Sequence, residues 1–390
     1  MPQGLEPYMT DSRLDRTPVV AAVAGSGTAA IIVFALMPVL VGAMAQTWDL
    51  NDLQSGLIAT AYFCSYALVA LSSPLWIRRW NWRYASLGGF SFMLLSLTVA
   101  LTAADFMTAQ LAIAAVGVGA GVLYPVSLTL ASDMANTERV YAIKLAVEQL
   151  VPAALLVLMS LGWWLGVGLQ NILTAVIVVV FLCLAASTAM PESGKFEQFA
   201  KTSTGVAWRE LLALTALSIS FAGFAGLWVF LEIIGSETGF EPAFTTLWLA
   251  VGLITSGLGP ILAALVNDRL GQVLPFVVSI PPCLLIIALL AGQRTEFDYA
   301  AVLTFLPLFY YFAMSYMMSL IAAVDSSGKI AGLMSFALAV GAASGPALYG
   351  AMKEVNGPVL TAMAALIFIG TAMMIPVARQ VQTEIREVRP

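Results

Sequence analysis

Stretches of about 20 predominantly apolar residues recur along almost the whole chain, and this recurrence restricts its fold more than any other feature. A run of that length crosses a bilayer as a helix, because backbone polar groups with no water around them must be satisfied inside the segment. Twelve such runs are read, at roughly 18–46, 52–77, 83–103, 107–132, 139–164, 169–190, 209–235, 242–266, 272–292, 298–324, 330–352 and 358–378. With 60 % of residues hydrophobic and 10 % charged, a soluble domain is excluded. The first run follows Arg13 and Arg16 but is too long for the apolar part of a signal peptide, and no small-residue cleavage site follows it, so it counts as a span. Most connections are short. The polar segment from Pro191 to Trp208 is the exception, and it divides the chain into an N-terminal six-helix bundle (1–190), a linker loop (191–208) and a C-terminal six-helix bundle (209–390).

Basic residues fix the expected orientation. If both termini are cytoplasmic, the cytoplasmic segments hold Arg13, Arg16, Arg78, Arg79, Arg83, Arg139, Lys195, Lys201, Arg209, Arg269, Lys329, Arg379, Arg386 and Arg389, which is 14 of the 17 Lys and Arg. That bias is what the positive-inside rule requires, and removing one span would scramble it. The expected location is therefore a bacterial inner membrane, in a multi-pass chain with both ends in the cytoplasm. The net charge of −5, without a long run of one sign, offers nothing to a nucleic acid. Cys64, Cys183 and Cys283 are scattered through apolar runs and histidine is absent, so neither a disulfide framework, a metal site nor a cofactor is expected. Any group that handles protons must then be a carboxylate or, failing that, a tyrosine or lysine.

The fifth run carries two charges, Lys144 and Glu148, spaced to share one helix face and meet as an ion pair. Glu148 lies nine residues beyond Arg139, roughly 13 Å along a helix and near the bilayer centre. A carboxylate there is costly unless it faces a partner, water or a cavity, which marks the pair as a candidate proton-coupling site beside a central hollow. Glu232, near the outer end of the seventh run, is the other intramembrane acid and is grouped with them. Gly223, Gly226 and Gly235 suggest that the seventh helix bends. Tyr66, Tyr124, Tyr316, Trp228 and Gln149 are the candidate lining of a substrate cavity, since a tyrosine buried near the midplane needs a partner for its hydroxyl. Gly117, Gly119 and Gly121 are read as close helix packing rather than a nucleotide loop, because no strand precedes them. No arginine lies deep in any span, so the expected solute is neutral, weakly acidic or cationic, with apolar surface. Catalysis is not expected, because an enzyme on this scaffold would need a concentrated set of nucleophile, base or metal ligands.

The halves echo each other: ERVYAIKLAVEQ aligns with GKIAGLMSFALA, placing Arg139 on Lys329 and Lys144 and Glu148 on Met334 and Leu338. Such repeats are common in transporters that bind substrate at the midplane. The charges belong to the first half alone, which argues against a purely architectural role. After the eighth run stand Ala264, Asp268, Arg269 and Gly271; after the second, Arg78, Arg79 and Arg83; and Asp325 to Gly350 closes on Gly345 and Pro346. This pattern resembles the major facilitator superfamily, whose loop signature is present in part after the eighth run and reduced to basic character after the second. The resemblance implies an all-α membrane fold of twelve transmembrane helices in two pseudo-symmetric six-helix bundles, working by alternating access. It also implies that Asp268 and Arg269, with Asp325 and Lys329, act as a cytoplasmic gate. The late fifth span has Val151, Pro152, Ala153 and Ala154 where drug–proton antiporters of the family carry a glycine-rich motif. The reading is a monomeric, proton-coupled secondary transporter of a small organic solute. An efflux pump for hydrophobic drugs or metabolites and a non-transporting membrane receptor are the alternatives.

Overall fold

The computed structural model describes residues 16–134, 137–162, 168–194, 208–292, 295–324 and 330–388. Its regular elements are helices: α1 (Thr17–Ala35), α2 (Met37–Trp48), α3 (Asp52–Trp76), α4 (Trp82–Leu101), α5 (Phe106–Asp133), α6 (Thr137–Ser160), α7 (Leu169–Ala186), α8 (Trp208–Thr238), α9 (Pro242–Val266), α10 (Leu274–Leu289), α11 (Glu296–Val324), α12 (Ile330–Glu354) and α13 (Val359–Val388). Among the described residues, eleven helices are long and apolar enough to cross a membrane, and α10 is a shorter apolar one. Helices α1 and α2 form one crossing, interrupted at Leu36, which leaves the helical region at φ −91°, ψ 2°. Pro38 explains the break: it donates no backbone hydrogen bond and its ring crowds the carbonyl four residues back. The crossings follow the apolar runs, with one extension. Helix α13 continues to Val388, ten residues past its run, and Arg209 on α8 holds Glu384 there at 2.7 Å.

Along the chain the helices form two sets, α1–α7 and α8–α13. In the first set α1 packs on α5, α6 and α7, while α5 also carries α3 and α4. In the second, α8 packs on α12 and α13, and α11 on α9 and α10. The sets meet where α3 lies on α12, α6 on α9, and α2 on α8. The first two of these contacts exchange under the internal repeat that aligns the fifth span with the eleventh. Helix α8 is the most enclosed, with 83 % of its apolar stretch buried, because it serves both its own set and the junction. It runs as one unbroken helix from Trp208 to Thr238. Two of its glycines serve close packing, Gly223 against the Met363 carbonyl and Gly226 against Gly345. On the perimeter Leu68, Leu75, Leu95 and Leu285 are exposed, the expected face toward lipid.

The α3–α12 contact is backbone-close at the end remote from the termini, hereafter the far side. Gly56 abuts the Pro346 carbonyl there, and Thr60 donates across to the Ala343 carbonyl at 2.7 Å. Without a hydrophobic drive between helices in lipid, this small-residue packing with cross-helix hydrogen bonds is what holds the two sets together.

Candidate functional site

On α6, Lys144 and Glu148 form the expected ion pair, with side chains only 0 % and 1 % exposed. Both face into the first set. The Lys144 ammonium sits 4.2 Å from the ring centroid of Tyr124 on α5, a cation–π contact that partly replaces the water it has lost. The Tyr66 ring of α3 lies behind it, 6.4 Å from Tyr124. From α1, Gly27 closes the site: a methyl group there would collide with Glu148 Oε1 and crowd Lys144 Cε. Glycine is thus what lets α1 come down onto the charged pair.

A separate void lies between the two sets. Ile31, Phe34 and Ala35 line it from α1, Gln149 from α6, Phe224 and Trp228 from α8, Leu253 and Ser256 from α9, and Tyr311 from α11. In the present conformation it has room for roughly one water molecule. Gln149 and Ser256 meet across it, the serine hydroxyl donating to Gln149 Oε1 at 3.0 Å. The Phe224 ring stacks on Tyr310 at 4.3 Å and takes the edge of Tyr311 at 5.4 Å.

This arrangement corrects the expected relation between acid and hollow. Glu148 does not line the central void, whereas its neighbour Gln149 does, because adjacent helical residues point about 100° apart. Of the candidate cavity residues, Gln149 and Trp228 line the void. Tyr66 and Tyr124 instead stand beside the buried ion pair. Tyr316 is turned toward α9, where its hydroxyl donates to the Ala263 carbonyl at 3.4 Å. Phe34, Phe224, Ser256 and Tyr311 were not singled out from sequence. The 3,4 spacing of Phe221, Phe224 and Trp228 and the aromatic run 309–312 were the available signals.

Glu232 is 4 % exposed near the far end of α8, pressed against Gly42 of α2, and its Oε2 has no hydrogen-bond partner among the described residues. One turn further out, Lys353 of α12 joins Asp52 of α3 at 2.8 Å and also Glu237 of α8. That trio ties the two sets together at the far side.

At the termini side, Arg78 grips Asp133 with two hydrogen bonds of 2.6 and 3.0 Å, while its guanidinium carbon lies 5.7 Å from the Trp82 ring centroid. From sequence Arg78 is one of several basic loop residues, and only folding brings it to Asp133 at the end of α5. Arg269 is exposed in the turn after α9. Asp268 lies in the same turn, its side chain outside the described set, and Asp325 and Lys329 lie outside the described residues.

No curated protein sequence matches this one. Among solved structures, a bacterial homologue of the human lysosomal transporter Spinster superposes in its inward-facing, unoccupied form with a TM-score of 0.62 at 15 % identity, covering 98 % of both chains. Its inward-facing, occupied form gives 0.65 at 17 % identity with the same coverage. A point mutant of the nucleoside transporter NupG gives 0.66 at 12 % identity, covering 94 % of this chain and 99 % of that one. At such identities the likeness establishes the fold. The sequence model of the family described as Major Facilitator Superfamily matches residues 22–346, most of the chain. The chain therefore belongs to the major facilitator superfamily and is a multi-pass membrane protein of the transporter class.

Proposed function

We propose that this protein moves a small, partly apolar organic solute across a bacterial inner membrane by alternating access, with proton coupling. The observation that carries the reading is the void at the junction of the two helix sets, lined from five helices of both sets and bridged by a single Gln149–Ser256 hydrogen bond. A site shared between two bodies is exposed to one face or the other as they rock. The far-side contacts of α3 with α12 and the Lys353 trio are the groups that must part for access from that side. With the basic residues on the termini side, that side is the cytoplasm.

Coupling is assigned to Glu148 and Lys144. Burial penalises the charged form of a carboxylate and an adjacent ammonium favours it, so opening the pair and closing it switches the acid between two proton affinities. The pair is sealed against α1 in the present conformation, so the switch requires α6 to move relative to Gly27. Glu232 is the second candidate: it sits between α2 and α8, and separating those helices would wet it.

The test is uphill solute accumulation in proteoliposomes under an imposed pH gradient, with reversal of the gradient to set the direction. Glu148→Gln should abolish accumulation while leaving downhill exchange. Undiminished accumulation would remove Glu148 from the mechanism, and binding without any flux would convert the protein to a receptor.

A further inference from the structure

We infer that the central void takes a neutral, planar solute carrying an aromatic or heteroaromatic ring and an amide-like edge. The ring is held by Phe224, Trp228 and Tyr311, and the edge by Gln149 and Ser256. This rests on the void being the substrate site and adds to it the chemistry of what enters.

Shape comes from the aromatic wall. Phe224 and Trp228 are one helical turn apart on α8 with rings 14° from parallel at 6.1 Å, so their faces run parallel, and Tyr310 already covers one face of Phe224 at 4.3 Å. Tyr311 stands almost perpendicular to Phe224, at 89°, and closes one side of that wall. Flat faces with one perpendicular neighbour favour a flat ring, through offset stacking on one side and an edge-to-face contact on the other. In the present conformation the void holds about one water, so a flat guest enters only as the two sets part and these ring faces separate.

Charge is excluded by the lining. Among the described residues it holds no Asp, Glu, Lys or Arg. The nearby charges, Lys144 and Glu148, are closed on each other on another face of α6. An ionic guest would lose its hydration without gaining a counter-charge.

The polar edge follows from hydrogen bonds left open. Ser256 has one hydroxyl hydrogen and two acceptors within reach, the Leu253 carbonyl at 2.6 Å and Gln149 Oε1 at 3.0 Å. That hydrogen serves one acceptor at a time, so either the Leu253 carbonyl or Gln149 Oε1 is left for another donor. The Gln149 amide nitrogen and the Tyr311 hydroxyl have no partner among the described residues. A guest carrying a donor and an acceptor side by side satisfies this set, and a hydrocarbon ring would leave it unsatisfied.

The probes are benzamide, nicotinamide and uracil against three ring-matched controls: benzoate, benzylammonium and cyclohexanecarboxamide. Thermal stabilisation of the purified full chain is measured first, then flux in proteoliposomes. Saturable stabilisation by the neutral aromatic probes is expected, at affinities at least 10-fold above the controls. Gln149→Ala and Trp228→Ala should each weaken it 10-fold or more, and Trp228→Phe should restore most of it. Equal binding of the charged or saturated controls would overturn the inference, as would silence from all three neutral probes. Flux of a solute from another class would refute the ligand chemistry and keep the transporter. Binding of the neutral probes without flux would do the reverse.

Discussion

Replacing one member of the Lys144–Glu148 pair should damage the fold far more than replacing both. Each side chain is essentially fully buried and each is the other's principal partner. Removing one charge strands the other in low dielectric, at about 3–5 kcal/mol for a buried pair, while exchanging both for neutral residues of similar volume is near neutral. The two single losses are not equal. In Glu148→Gln the stranded ammonium keeps the Tyr124 ring, a contact worth about 0.5–2 kcal/mol, and the new amide oxygen can still accept from it. Taking about 1 kcal/mol for what survives leaves a loss of about 2–4 kcal/mol. In Lys144→Met the carboxylate keeps neither contact, so the full 3–5 kcal/mol applies. The double variant Lys144→Met/Glu148→Gln should cost about 1–2 kcal/mol, since both volumes are nearly conserved and the remaining loss is the new amide left without a partner. Reversible unfolding of the four proteins in one detergent, read as a double-mutant cycle, measures the coupling directly. A coupling below about 0.5 kcal/mol would show that the two charges are not paired in the folded chain, and the coupling role of Glu148 would fall with it.

Other expectations follow from single groups. Gly27→Ala places a methyl on Glu148 Oε1 and should cost about 1–3 kcal/mol as α1 is pushed off the pair; unchanged unfolding would mean that α1 does not pack there. Lys353→Met breaks both far-side bridges, which are partly exposed and together worth only about 1 kcal/mol, so stability should barely change. Maleimide labelling of a cysteine placed at Ser55, in an otherwise cysteine-free chain, should nevertheless rise severalfold from the far face, and no rise would remove the trio as a latch. Asp105 caps α5, accepting from the Thr108 amide at 2.9 Å and its hydroxyl at 2.7 Å, and these hold its carboxyl below the ordinary value of 3.8. A depressed folded value means that the cap's contribution is complete above the unfolded value and lost as pH falls through the folded one. The difference in melting temperature between the parent and Asp105→Ala should therefore hold constant at neutral pH and shrink in acid, whereas a gap that widens in acid would contradict the capping geometry.

Much of this molecule was legible before any coordinates. Spans are set by the length of an apolar run against the thickness of a bilayer, a one-dimensional property, so twelve crossings were readable from the chain. The Lys144–Glu148 pair was readable for the same reason, since four residues along a helix fix the neighbour. Pro38 was likewise visible, although the broken first crossing was not read from it.

What the chain alone left open is which face of each helix looks inward. In a helix apolar nearly all round, periodicity carries little information about facing, and lipid and protein interior are equally apolar surroundings. Nothing local says that Glu148 turns to Gly27 while Gln149 turns to Ser256, because that is decided by how α6 is wedged between α1 and α9. The same holds for Arg78 and Asp133, 55 residues apart, and for Lys353 and Asp52, 301 residues apart. Local chemistry thus determined the crossings and one buried pair. Tertiary packing, by choosing which neighbours share a space, decided that the void is aromatic and uncharged.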